Sequence, residues 1–136
     1  MIVLRTKTAF TYNATKPDDK EIIYMRIASE QTSFLTQTVE VTNQYYVLKE
    51  GVPTIATVQQ PTVLSKAEWD GLIDYLLVGD LKPLNSLKLI DQQRALYVGA
   101  RNKILVGKIF GTTPDDWEEY VVPQEELSIH TTQVMN

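Results

Sequence analysis

The apolar pattern of this chain changes period once, and that change constrains the fold more than any other feature. In residues 2–12, Ile2, Leu4, Phe10 and Tyr12 share one parity with Thr6 and Thr8, while Arg5, Lys7 and Thr11 take the other. A period of two is that of a half-buried strand. Residues 12–19 are turn chemistry, with Pro17 and Asp18 suited to a tight reversal. Residues 21–28 are apolar on both parities through Ile22, Ile23, Tyr24, Met25 and Ile27, as in a central strand covered on both faces. Alternation resumes over 33–42 with Leu35, Val39 and Val41. Segments 45–48 and 54–58 then flank Glu50-Gly51-Val52-Pro53, which reads as a hairpin turn.

From Ser65 the period becomes helical. Ser65-Lys66-Ala67-Glu68 is a capping box, in which the Ser65 hydroxyl accepts the Glu68 amide proton and the Glu68 carboxylate reaches back. Leu64 and Trp69 fit a hydrophobic staple. Trp69, Leu72, Ile73 and Leu76 recur at helical spacing, with Gly71 inside and Gly79 as the stop, which predicts a helix over 66–78. A second helix is predicted over 86–98, with Leu87, Ile90 and Tyr97 on one side, Arg94 interrupting them and Gly99 ending it. Residues 103–110 read as a strand. Thr113-Pro114-Asp115-Asp116 opens a short helix, with a capping threonine, proline at the first helical position and acids in the first turn; Pro123 ends it. The expected fold is therefore α+β: a mainly antiparallel sheet from the N-terminal half, completed by 103–110, covered by one or two helices, with extended termini. Residues 1–112 form one domain in this reading, and 113–136 an acidic C-terminal segment.

Charge is sorted along the chain. Lys82, Lys88, Arg94, Arg101, Lys103 and Lys108 face a single acid, Asp91, between 82 and 108. Residues 113–136 hold Asp115, Asp116, Glu118, Glu119, Glu125 and Glu126 and no Lys or Arg. Segments of opposite sign attract, within one molecule or between copies of it. The overall net charge of −4 argues against a general affinity for nucleic acid. The basic stretch, with Tyr97 and Phe110, nevertheless has the cations and stacking rings that suit single strands.

The chain has no cysteine, which excludes disulfides, a thiol nucleophile, an iron–sulfur cluster and a cysteine zinc site together. Met1-Ile2-Val3-Leu4-Arg5 is too short an apolar run for a signal peptide, and no stretch approaches the ~20 apolar residues of a membrane span. The sequon Asn13-Ala14-Thr15 has no secretion signal beside it. A protein that remains where it is made, or is packed into a particle there, is expected.

No catalytic constellation is evident. His130 is the single histidine, and its place near the C-terminus predicts an exposed polar residue. Asp115, Glu118 and Glu119 fall near one face of the predicted short helix; a hard cation would suit them, but a solvated first turn complementing the helix dipole is the better account. Phosphate-loop, dinucleotide and Gly-x-Ser-x-Gly spacings are missing from the sequence. No enzyme activity, cofactor or metal is expected. The adjacent Tyr45 and Tyr46 point to opposite sides of a strand, which predicts one ring in the core and one facing outward as interface area.

The strand beginning at Met1, the alternating Gln31-Thr32-Ser33-Phe34-Leu35-Thr36-Gln37-Thr38-Val39, the single well-capped helix and the polar Thr131-Thr132-Gln133-Val134-Met135-Asn136 tail resemble in style the small virion structural proteins of tailed bacteriophages. These are connector, ring, tail or capsid-decorating subunits. The resemblance spans the chain without a motif match, so no functional residue is carried over. It implies a non-enzymatic assembly subunit that pairs with itself, in a ring if the contacts close, or docks on other virion proteins. It also implies arms that add strands to neighbours, for which 1–12 and 128–136 are the candidates. The interface candidates are Lys88, Arg94, Arg101 and Lys103, the acids Asp115, Asp116, Glu118 and Glu119, and Tyr45 and Tyr46. The implied location is the virion, after assembly from the host cytoplasm. The other expectation is a monomeric adaptor or single-stranded nucleic-acid module built on the basic segment.

Overall fold

A computed structural model of the chain describes residues 1–33, 35–36, 38–65, 67, 89–105 and 107–134. Its strands are β1 (Ile2–Thr6), β2 (Phe10–Thr11), β3 (Lys20–Glu21), β4 (Tyr24–Ser33), β5 (Thr38–Lys49), β6 (Val52–Ser65) and β7 (Trp117–Val121), and its α-helices are α1 (Leu89–Leu105) and α2 (Leu127–Thr131). Five strands make one sheet in the order β6-β5-β4-β1-β7, antiparallel throughout, and β2 pairs with β3 in a small separate ladder. The chain is α+β with a mainly antiparallel sheet, as its periodicity predicts.

Local chemistry explains the connections. Lys16, Pro17, Asp18 and Asp19 form the expected reversal, closed by the Asp19 amide on the Lys16 carbonyl at 3.0 Å. Lys49 pairs with Val52, so the loop is Glu50-Gly51, with φ of 53° and 76°. Two positive φ values make a type I′ turn, whose twist matches the strands it joins. β4 shifts register between Ile27 and Ser29. At that bulge the Ile27 amide donates to the Tyr97 hydroxyl of α1 at 3.3 Å. β6 is an edge strand and carries Pro53 and Pro61. Proline lacks an N–H and is confined to edges and bulges, which fits this position.

The sheet is covered on both faces near its middle, and strand alternation divides its residues between two cores. Ile2, Leu4, Met25, Tyr45, Val47 and Trp117 point to the side where Leu96, Tyr97 and Ala100 of α1 pack. Val3, Tyr24 and Tyr46 point to the other, where Val122, Tyr120, Leu127 and Val134 close over them. Tyr45 and Tyr46 do take opposite faces, but the expectation that one is outward is corrected: they are 1% and 0% exposed. The reason is that each face has its own cover.

Further differences concern the second half. Residues 103–110 are not a strand: α1 runs through Gly99 to Leu105, and a 3-10 turn occupies Ile109–Gly111. A short apolar run fits a buried helix as well as a strand, and packing at Leu96, Tyr97 and Ala100 outweighs the ~1 kcal/mol helix penalty of a glycine. The strand that completes the sheet is β7. The helix expected at 113–123 is one 3-10 turn, Pro114–Asp116, whose Asp116 carboxylate takes the Thr113 amide proton at 2.8 Å before the chain extends into β7. Pairing of β7 along all of β1 outweighs the helical start signal. Residues 1–12 and 128–134, candidates for arms, are engaged within the molecule, since β1 lies between β4 and β7 and His130 of α2 is fully buried. The capped helix 66–78, with Trp69, Gly71 and Gly79, lies outside the described residues except for Ala67, as do Lys82 and Lys88.

Candidate functional site

The densest set of interacting polar and aromatic groups lies on the sheet face opposite α1, around His130. Alternation puts Val3 and Arg5 of β1, Tyr24 and Arg26 of β4, Gln44 and Tyr46 of β5, and Glu118 and Tyr120 of β7 on this face in cross-strand register. Pro123 ends β7's continuation, a 3-10 turn follows at Gln124–Glu126, and α2 then lowers His130 onto the rings. The imidazole centroid lies 5.0 Å from Tyr24, 5.9 Å from Tyr46 and 5.9 Å from Tyr120, while Tyr24 stacks on Tyr46 at 5.5 Å. Such distances are those of favourable edge and offset contacts.

Hydrogen bonds fix the orientation. His130 Nδ1 lies 2.7 Å from the Tyr46 hydroxyl. Its Nε2 is buried without a hydrogen-bond partner, and the closest carboxylate oxygen, Glu126 Oε1, stands 3.8 Å away. Glu126 is held through its other oxygen by the Tyr120 hydroxyl at 2.7 Å. That bond, with burial, pushes the Tyr120 phenol up to about 12. Arg26 crosses from the sheet to the segment above it: Nη1 donates to the carbonyls of His130 at 2.7 Å and Thr132 at 2.9 Å, and Nε to Gln44 at 2.6 Å. The Arg5 guanidinium lies over the Tyr120 ring at 4.0 Å and donates to Glu118 at 2.9 Å. Burial holds the His130 imidazole below its ordinary pKa; Glu126 opposes this, and Arg26 and Arg5 reinforce it. Burial likewise raises the Tyr46 phenol. The expectation of an exposed His130 is thereby corrected: apolar neighbours at Leu127 and Val134 carry it inward.

The residues singled out from sequence are dispersed. Arg94 donates to Glu119 at 3.0 Å, so one basic–acidic pair of the two charge-sorted segments closes inside the molecule. Glu118 and Glu119, adjacent on β7, reach opposite faces, to Arg5 and Arg94, while Asp115 and Asp116 remain in the 3-10 turn. The predicted acidic cluster on one helix face is therefore not formed, because the helix is a strand here. Arg101 lines a narrow crevice with Leu4, Met25, Tyr45 and Trp117, where its Nε and the Tyr45 hydroxyl are buried without hydrogen-bond partners. Lys103 is exposed in the last turn of α1. Lys88 lies outside the described residues.

Sequence reasoning missed Tyr24, Arg26, Tyr120, Glu126 and His130. One signal was available, the i, i+4 spacing of Glu126 and His130. Among the described residues no group of three or more His, Cys, Asp and Glu could hold a metal ion, and no helix is long and apolar enough to cross a membrane. No family model, curated protein or solved structure matches this chain.

Proposed function

We propose that this chain is a non-enzymatic structural subunit of a larger assembly, pairing with itself or docking on other proteins of a phage-like particle. The particle is suggested by the resemblance of the Thr- and Gln-rich strands and polar tail. The assembly role rests on one observation, the far end of the β4–β5–β6 meander. Past the bulge, β4 has no strand beyond it among the described residues, since β1 pairs only with Tyr24 and Met25. Among the described residues β6 pairs only with β5. One face there is closed into the α1 core through Val39, Val41 and Leu64. The other leaves Gln31, Glu40, Pro61 and Val63 exposed, and the turn beyond β4 carries Leu35 at 94% exposure. Unpaired strand edges beside exposed aliphatic side chains favour strand addition by a partner.

The pairing of Arg94 with Glu119 inside the molecule moves the expected contact away from charge and toward this surface. It also counts against the nucleic-acid module, because Arg94 is engaged with a carboxylate and Arg101 Nε is turned into the crevice. Light scattering after gel filtration, at low and high salt, tests the reading. An oligomer that persists in high salt and dissociates in Val63→Lys supports assembly through the meander. A monomer at both salts overturns self-pairing and leaves docking on a different protein. Tight binding of single-stranded DNA that weakens with salt overturns the assembly reading in favour of the basic segment.

A further inference from the structure

The cluster around His130 has a property that simple cohesion does not need: its bonding pattern favours the uncharged imidazole over the charged one. In that form one ring nitrogen accepts and the other carries the proton. In the tautomer that gives the buried Tyr46 hydroxyl an acceptor, that hydroxyl donates to Nδ1 across the 2.7 Å contact, and the ring proton sits on Nε2, in a pocket of rings with no acceptor within hydrogen-bond distance. In the charged form both nitrogens are donors. Nδ1–H would face the Tyr46 proton, so the hydroxyl would have to turn and lose its acceptor in a fully buried site. Burying a charge without a close partner is also costly in itself.

Every element packed against the ring contributes a charged or titratable group. β1 brings Arg5, β4 brings Tyr24 and Arg26, β5 brings Tyr46, and β7 brings Tyr120, while Glu118 of β7 is engaged by Arg5. Glu126, one turn before the ring, is the sole acid near it among the described residues. Its Oε1 stands 3.8 Å away and its Oε2 is engaged by Tyr120 at 2.7 Å. The two guanidiniums oppose its pull.

We propose that residues 124–134 form an acid-released latch, in which protonation of His130 undocks α2 and uncovers the sheet face made by Val3, Tyr24 and Tyr46. The strands beneath do not depend on the latch, because β1, β4, β5 and β7 are joined by their own backbone ladders. What holds α2 is local: the Tyr46 bond, the two Arg26 bonds, and the packing of Leu127 and Val134. The docked imidazole has a lowered pKa, so the open state binds the proton more readily. Docking is therefore fully favoured above the ordinary imidazole value of about 6.5 and is lost as pH falls below it, by up to about tenfold per pH unit until the docked form also protonates.

Hydrogen exchange on the full chain, corrected for the intrinsic pH dependence of exchange, reads this directly, alongside an NMR titration of the single imidazole. The expected result is loss of protection across 124–134 between pH 7.5 and 5.5, with β5 unchanged, an imidazole that titrates below 6.5, and no such loss in His130→Gln. Titration at or above 6.5 with the segment protected throughout overturns the latch. So does an equal loss of protection in the glutamine variant, which would assign the pH response to another group. Should that variant fail to fold, the titration of the wild-type ring decides alone.

Discussion

The two faces of the sheet are closed by different kinds of contact. On the α1 side a large apolar core meets a long helix, and Trp117 and Phe110 pack edge-on against Tyr45. On the His130 side a smaller core is closed by a few residues, and the contacts that place them are directional, from Arg26, Tyr46 and Glu126. Cohesion spread over many apolar contacts is indifferent to pH and degrades gradually. Cohesion concentrated in a few hydrogen bonds depends on the ionisation of the groups that make them. One face is suited to holding the molecule together, the other to changing it.

Substitutions separate the two. Tyr45→Ala leaves a cavity in the larger core and is expected to cost about 3–5 kcal/mol of global stability, by the measure of other large aromatic truncations. A urea titration with a lowered midpoint and unchanged slope would show it. Arg26→Met removes two charge-assisted bonds to the backbone of the latch and is expected to cost about 1.5–3 kcal/mol there. Hydrogen exchange should find the loss confined to 127–134; a loss spread over β5 would mean that the two faces are not independent.

The adjacent tyrosines sharpen the contrast. Tyr46→Phe leaves His130 Nδ1 without its partner and is expected to destabilise by about 1–2 kcal/mol. Tyr45→Phe removes a buried hydroxyl that has no hydrogen-bond partner and is expected to be neutral or slightly stabilising. Paired thermal melts compare them, and equal losses would break the distinction. Arg94→Ala breaks a part-exposed ion pair and is expected to change stability by no more than about 1 kcal/mol, less at high salt.

How much of this was legible follows from what each signal depends on. Alternation along β5 at Val39 and Val41, the reversal at Pro17 and the Glu50-Gly51 turn are local, and the sequence specifies them; Leu35, which shares that parity, lies instead in the turn between β4 and β5 and is exposed. The burial of both Tyr45 and Tyr46 is not local, because it requires knowing that a cover exists on each side. The structure departs from a strand at 103–110 and a helix at 113–123 for the same reason. Gly99 and Thr113-Pro114 are true local stop and start signals, overridden by packing on the sheet and by pairing with β1. His130 was hidden most deeply: it lies 84 residues from Tyr46 and 104 from Arg26, and no window along the sequence contains them together.

The placement of β1 between β4 and β7 has a consequence for how the molecule is made. Arg5 and Glu118, partners across that pairing, are 113 residues apart in the chain. During synthesis β1 emerges early and can find β4 soon after, while its second edge waits until nearly all of the described chain has been translated. Contacts so distant in sequence are slow to form, and an interior strand with one edge unpaired is open to the wrong partner meanwhile. Closure of the sheet by β7 is thus expected to be a late step, and high local concentrations of half-made chains the condition under which this protein misassembles.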